Sequence, residues 1–166
     1  GSERADTRGF AAVNFLASIS AALGTSDSFI VRAGHPAPAQ EICFKVMVFR
    51  GLAGGIDALD THAGGENSSA LLSVSAPGGH YAGMLNLAGF AYSGDAGSIV
   101  ASGANVALPR VCSAGNALCL VAAYAVGGAA GTQSVSVSAG NPVPWAGSLS
   151  SLYARSNIEV FKDSFE

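Results

Sequence analysis

The chain is short of charge. Asp, Glu, Lys and Arg make up only 11% of its 166 residues, against about 25% in ordinary globular chains. None of them lies between Val111 and Ala154. That stretch is still not a membrane span, because Ser, Gly, Asn and Thr interrupt it. Its most apolar run, Ala117 to Ala130, is too short and is broken by Gly127-Gly128. The net charge of −3 supplies no basic footprint for nucleic acid or an anionic membrane. Disorder is excluded by the opposite balance, since 49% of the residues are apolar.

Catalytic and metal-binding signatures are missing as well. His35, His62 and His80 form no H-x-x-x-H or H-E-x-x-H pattern, and no cysteine pair has zinc-ribbon spacing. There is no G-x-S-x-G elbow and no glycine-rich phosphate loop followed by Lys. Most of the few acids gather at the chain ends and between Asp57 and Glu66, so a general base has few orienting carboxylates to choose from. The expectation is a protein that is not an enzyme, with no cofactor and no metal. Cysteine is equally sparse. Cys43, Cys112 and Cys119 are an odd number and no disulfide framework. Cys112 and Cys119 flank Ser113-Ala114-Gly115-Asn116 and could face each other across a hairpin; equally, all three could be small buried apolar residues.

What the chain has is alternation of period two. In Gln133 to Ala139, Val135, Val137 and Ala139 share one face and Ser134, Ser136 and Ser138 the other. In Trp145 to Tyr153 the pattern puts Trp145, Leu149 and Tyr153 inward and Ser148 and Ser150 outward. Ser28 to Ala33, Glu41 to Phe49, Ala70 to Ser75 and Met84 to Tyr92 read as further strands, with shorter ones at Ser98 to Ala101, Asn105 to Leu108 and Ile158 to Phe161. Gly34 to Pro38, Gly54-Gly55, Gly64-Gly65, Pro77-Gly78-Gly79, Gly94-Asp95, Gly127-Gly128 and Asn141-Pro142 punctuate them as turns. Phe10 to Leu23 fits a short helix or an opening strand. The fold class expected is all-β, a two-layer antiparallel β-sandwich of jelly-roll or Ig-like type, with one short N-terminal helix allowed. Gly1-Ser2 reads as an expression scar with no signal-peptide pattern after it. Residues 3–27 then read as an N-terminal arm or docking segment and residues 28–166 as a single sandwich domain.

Two segments are apolar on both faces. Leu118, Leu120, Ala122, Tyr124 and Val126 make one face of a strand, and Cys119, Val121, Ala123 and Ala125 the other; Met84 to Tyr92 behaves alike. A strand of this kind must be covered on both sides. The cover could be Phe10 to Leu23, a long loop or a second subunit, and self-association as a homo-oligomer, a trimer for preference, is the expectation. The expected core comprises Phe44, Val46, Val48, Leu87, Leu120, Tyr124, Val137, Trp145 and Leu149. Trp145, the single tryptophan, reads as an anchor whose loss would cost about 3–5 kcal/mol.

The densest polar group is Asp57, Asp60 and His62, followed by Glu66 and Asn67, on a glycine-rich segment read as a loop. It could cap turns in solvent or hold a hydroxylated ligand, with Tyr81, Tyr92, Trp145 or Tyr153 as an aromatic platform. The candidate ligand-binding residues are therefore Asp57, Asp60, His62, Asn67 and Tyr81. The spacing fits no calcium loop.

The run Phe44 to Leu52 with Ile56-Asp57-Ala58, then Ser69 to Pro77, Met84 to Tyr92, Leu120 to Tyr124 and Trp145 to Leu149 resembles β-sandwich domains of tailed-phage and prophage virion proteins. In those domains a buried strand ends in an Arg-Gly turn, followed by a loop and a Ser/Thr-rich strand. The resemblance spans residues 41–152 and implies a virion-located structural protein, whether capsid decoration, head fibre or tail component. Its implied partners are capsid or tail proteins, and it carries over no catalytic residues. The alternative is a carbohydrate-binding or adhesion module on a phage or cell surface.

Overall fold

The computed structural model describes residues 2–8, 11–17, 43, 45, 47, 49–52, 59–102, 105–115, 117–126 and 129–160. The described residues form eleven strands and no helix. In chain order these are β1 (Ser2–Arg8), β2 (Ala11–Ala17), β3 (Phe49–Leu52), β4 (Leu59–Gly79), β5 (Leu85–Tyr92) and β6 (Ile99–Ala101). They continue as β7 (Val106–Ala107), β8 (Val111–Cys112), β9 (Cys119–Val126), β10 (Gly131–Leu152) and β11 (Ala154–Val160). The fold is all-β and every pairing is antiparallel.

Two long strands organise it. β4 has 21 residues and β10 has 22, and they pair on both sides of a central break, over Gly131–Ser138 and Val143–Leu152 of β10. The register breaks once in the middle, where Ser138 faces Leu71 but Val143 faces Ser69. The extra residues on β10 bend both strands at this point, as bulges do where strands cross from one layer to another. Gly140 and Asn141, at the bend, donate their amides to the carbonyls of Ser98 and Ala96, so the interrupted ladder is not left unsatisfied.

Beyond the bend the strands fold over themselves. One layer holds Leu71–Gly79 of β4, Gly131–Ala139 of β10, and β6. The other holds Leu59–Ser69, Val143–Leu152, β5 and β9, with β7 and β8 on the far edge of β9. Val74 of the first layer lies close above Gly65 and Gly147 of the second. Between the layers Leu72, Val74, Val135 and Val137 pack against Phe90, Tyr92, Val121, Trp145 and Leu149, all essentially without solvent access. Trp145 anchors this core edge-on to Phe90 (centroids 5.7 Å apart) and donates its Nε1–H to Ser69 Oγ.

The opposite face of the second layer is also buried. All eight residues of β5 are buried. Leu85, Leu87, Tyr124 and Leu152 form a second cluster there, flanked by Phe49, Leu59, Val106 and Leu108. The β1–β2 hairpin belongs to another sheet, yet β2 comes within 8 Å (Cα to Cα) of β10 and β5. Gly89, Ala91, Ala122, Ala146 and Ser148 make this face shallow enough for such an approach. Cover for this face thus comes at least in part from within the chain, from the segment expected as one of its candidates.

Several expectations are corrected. Residues 11–17 are strand, the second of the two readings of that segment. Cys43, Lys45 and Met47 lie outside any strand, and β3 begins only at Phe49. Gly64-Gly65 and Asn141-Pro142 are not turns but lie inside β4 and β10, because a long partner strand keeps the backbone extended. Ser148 and Ser150 do face away from the core, yet both are buried because β2 covers that face. Leu120 is only half-buried, and Tyr153 sits past the end of β10 rather than in the core. Phe44, Val46, Val48 and the strand expected at Ser28 to Ala33 lie outside the described residues.

Candidate functional site

Four described titratable side chains, Asp60, His80, Tyr81 and Tyr153, come together at one place, the rim where the two ends of β4 meet. The register between β4 and β10 slips there: Thr61 faces Ser151 but Leu59 faces Leu152, so Asp60 is the unpaired residue of a bulge. Bulges re-aim side chains. Asp60 is turned across the layers to His80, which follows the other end of the same strand. Its Oδ2 accepts the His80 backbone N–H at 2.8 Å and its Oδ1 meets His80 Nδ1 at 2.8 Å. Thr61 reinforces the closure by donating its hydroxyl to the Pro77 carbonyl at 3.0 Å.

The burial of the pair is lopsided. The Asp60 side chain is 4% exposed and the His80 side chain 75%. A carboxylate only accepts, so Nδ1 is the donor and Nε2 is the ring nitrogen turned outward. Next along the chain, Tyr81 is 50% exposed. Its ring lies 4.6 Å from that of Tyr153 and 6.4 Å from that of His80. Tyr153 arrives from the end of β10, just past the Leu152–Leu59 pair. Three rings thus line the rim, with one carboxylate buried beneath them.

Of the residues predicted from sequence, the fold brings Asp60 and Tyr81 together through His80. His62 is exposed on β4 opposite Ser150, and Asn67 is exposed opposite Trp145, its Oδ1 accepting the Ser68 N–H. Neither touches the rim cluster. Their segment is a strand, so neighbouring side chains point to opposite faces and cannot converge as they would on a loop. Asp57 lies outside the described residues. Of the aromatic candidates, Tyr92 and Trp145 are buried in the core, which leaves Tyr81 and Tyr153. His80 was missed as a site residue because its partner is 20 positions away, and only the folding-over of β4 joins them.

The Asp60–His80 pair has the form of two members of a nucleophilic triad. Among the described residues no hydroxyl or thiol is hydrogen-bonded to His80, so the third member is missing. Nor do the described residues contain a group of three or more His, Cys, Asp or Glu placed to hold a metal. A shallow groove of about 410 Å³ lies between Ile99 and Leu108, where Arg110 donates to the Gly97 carbonyl at 2.9 Å. No described helix is long and apolar enough to cross a membrane.

Two further features are structural. Cys112 and Cys119 are bonded, directly opposite each other in the β8–β9 hairpin, with Cα atoms 4.0 Å apart. Gly115 turns that hairpin with φ +90°. Asn86 donates to Gln133 Oε1 at 2.9 Å and accepts from Ser151 Oγ, a buried neutral network across both layers. The chain matches no protein-family model, no curated protein and no solved structure.

Proposed function

We propose that this chain is a non-enzymatic structural module of a virion surface: a capsid decoration, head-fibre or tail component. The observation that carries the reading is β10. It is 22 residues of uncharged strand, paired with β4 on both sides of its bend and shared by both layers of the molecule. Such a strand gives mechanical continuity and adds no titratable chemistry. The Cys112–Cys119 bridge agrees, since disulfides persist outside the reducing cytoplasm.

Self-association into a homo-oligomer, a trimer for preference, belongs to the same proposal. It cannot rest on the apolar face of β5, which β2 covers. It rests instead on Leu71 and Val100, exposed on either side of Ser138 in one row across β4, β10 and β6.

The test is to purify particles from the producing organism on a density gradient and look for the chain by mass spectrometry. Stoichiometric co-sedimentation, with a defined oligomer by light scattering, is the expected result. A chain found only in the soluble fraction as a monomer would sink the proposal.

A further inference from the structure

We propose that the rim formed by His80, Tyr81 and Tyr153 is a binding platform for a neutral carbohydrate, an activity beyond the structural role just described. The first argument is exposure. The large aromatics Phe90, Tyr92, Tyr124 and Trp145 are buried, whereas Tyr81 is half-exposed against Tyr153 at the molecular edge. Aromatic area left in water is unfavourable unless something covers it.

The second argument is preorganisation. Asp60, buried and unpaired in the β ladder, holds both the backbone and the ring of His80. The Thr61–Pro77 bond fixes the chain just before it, and Gly83 (φ +73°) turns it just after. The platform is therefore set before any ligand arrives, which lowers the entropy lost on binding.

The third argument is chemical fit. A pyranose ring has an apolar C–H face and a rim of hydroxyls that donate and accept. Ring faces of Tyr81 and Tyr153 match the first. The tyrosine hydroxyls and His80 Nε2, an acceptor in the neutral ring, match the second. Lys45 and Arg110 are held elsewhere, on the carbonyls of Pro109 and Gly97, and the Asp60 carboxylate beneath the platform disfavours an anionic ligand. A shallow edge of this kind suits an extended saccharide lying across it, with affinity raised by several copies acting together.

The experiment is affinity electrophoresis of the full chain through gels containing neutral polysaccharides (a β-glucan, a galactomannan and a dextran), alongside an array of neutral bacterial-surface oligosaccharides. Binding to at least one probe is expected. Tyr81→Ala and Tyr153→Ala should each weaken it at least tenfold, while Tyr81→Phe keeps stacking and loses no more than about threefold. Ala114→Ser, exposed in the β8–β9 turn and away from both the rim and the Leu71–Val100 row, should leave it unchanged. Melting temperatures of the variants establish that each remains folded. No binding to any probe, or binding that folded Tyr81→Ala and Tyr153→Ala retain in full, overturns the proposal. Co-sedimentation with particles is read separately, so the two readings fail independently.

Discussion

Phe90 lies on Gly147. The two are direct cross-strand partners on β5 and β10, and a Cβ added to Gly147 would come 2.7 Å from Phe90 Cδ1. The glycine makes room for a ring that also meets Trp145 edge-on. Gly147→Ala must displace Phe90, and Val74 Cγ2 is itself 3.0 Å from the same added carbon. Overpacking of this kind destabilises by about 1–3 kcal/mol. Thermal unfolding followed by circular dichroism should show a melting point several degrees lower. An unchanged melting point would mean that the ring repacks freely.

The bond between Cys112 and Cys119 closes a short loop, with a sequence separation of 7. Chain-entropy arguments give such a loop about 2–3 kcal/mol. Urea unfolding with and without reductant should differ by that amount. Alkylation of the denatured, unreduced chain should label one thiol, Cys43, and all three after reduction.

Asn86 serves two buried partners at once, Gln133 and Ser151. Asn86→Ala leaves both without it in a site closed to water, at about 1–3 kcal/mol for each unsatisfied group. Adding Ser151→Ala should recover part of the loss, and a double-mutant cycle in urea measures the coupling. Strict additivity would mean that the three side chains do not act as a unit.

Asp60→Ala removes the acceptor of the His80 amide while leaving the core untouched. Hydrogen exchange at His80 should speed up sharply while Val121 and Val135 keep their protection. Unaltered exchange at His80 would show that the rim is held by something other than the carboxylate.

Deleting residues 1–17 removes the hairpin over β5 and β10 and exposes the face carrying Leu85, Leu87 and Ala91. The truncated chain should bind a hydrophobic dye and associate in light scattering, as uncovered apolar faces do. A dye-silent monomer would show that the hairpin is not the cover.

The strand content was legible because alternation of small apolar residues and serine leaves little choice of period. The segment at 133–139 and the turn between Cys112 and Cys119 are where the pattern put them, and the one expected at 145–153 ends a residue early, at Leu152. The boundaries were less legible. Glycine pairs and Asn141-Pro142 read locally as turns, but a partner strand more than twenty residues long holds them extended. The candidate site was half legible. Asp60, Tyr81 and Tyr153 stood out by residue type, whereas His80 became a site residue only through a neighbour far along the chain.

By itself, the sequence determined that this protein is built from strands and that two of them need cover on both faces, because hydrophobic periodicity is a local property. What provides that cover was decided only in three dimensions, as was the meeting of a carboxylate with an imidazole from the other end of its own strand. Both depend on where a long ribbon bends. That bend is fixed by a three-residue mismatch in pairing and by the packing of glycine beneath phenylalanine, which no window of neighbouring residues contains.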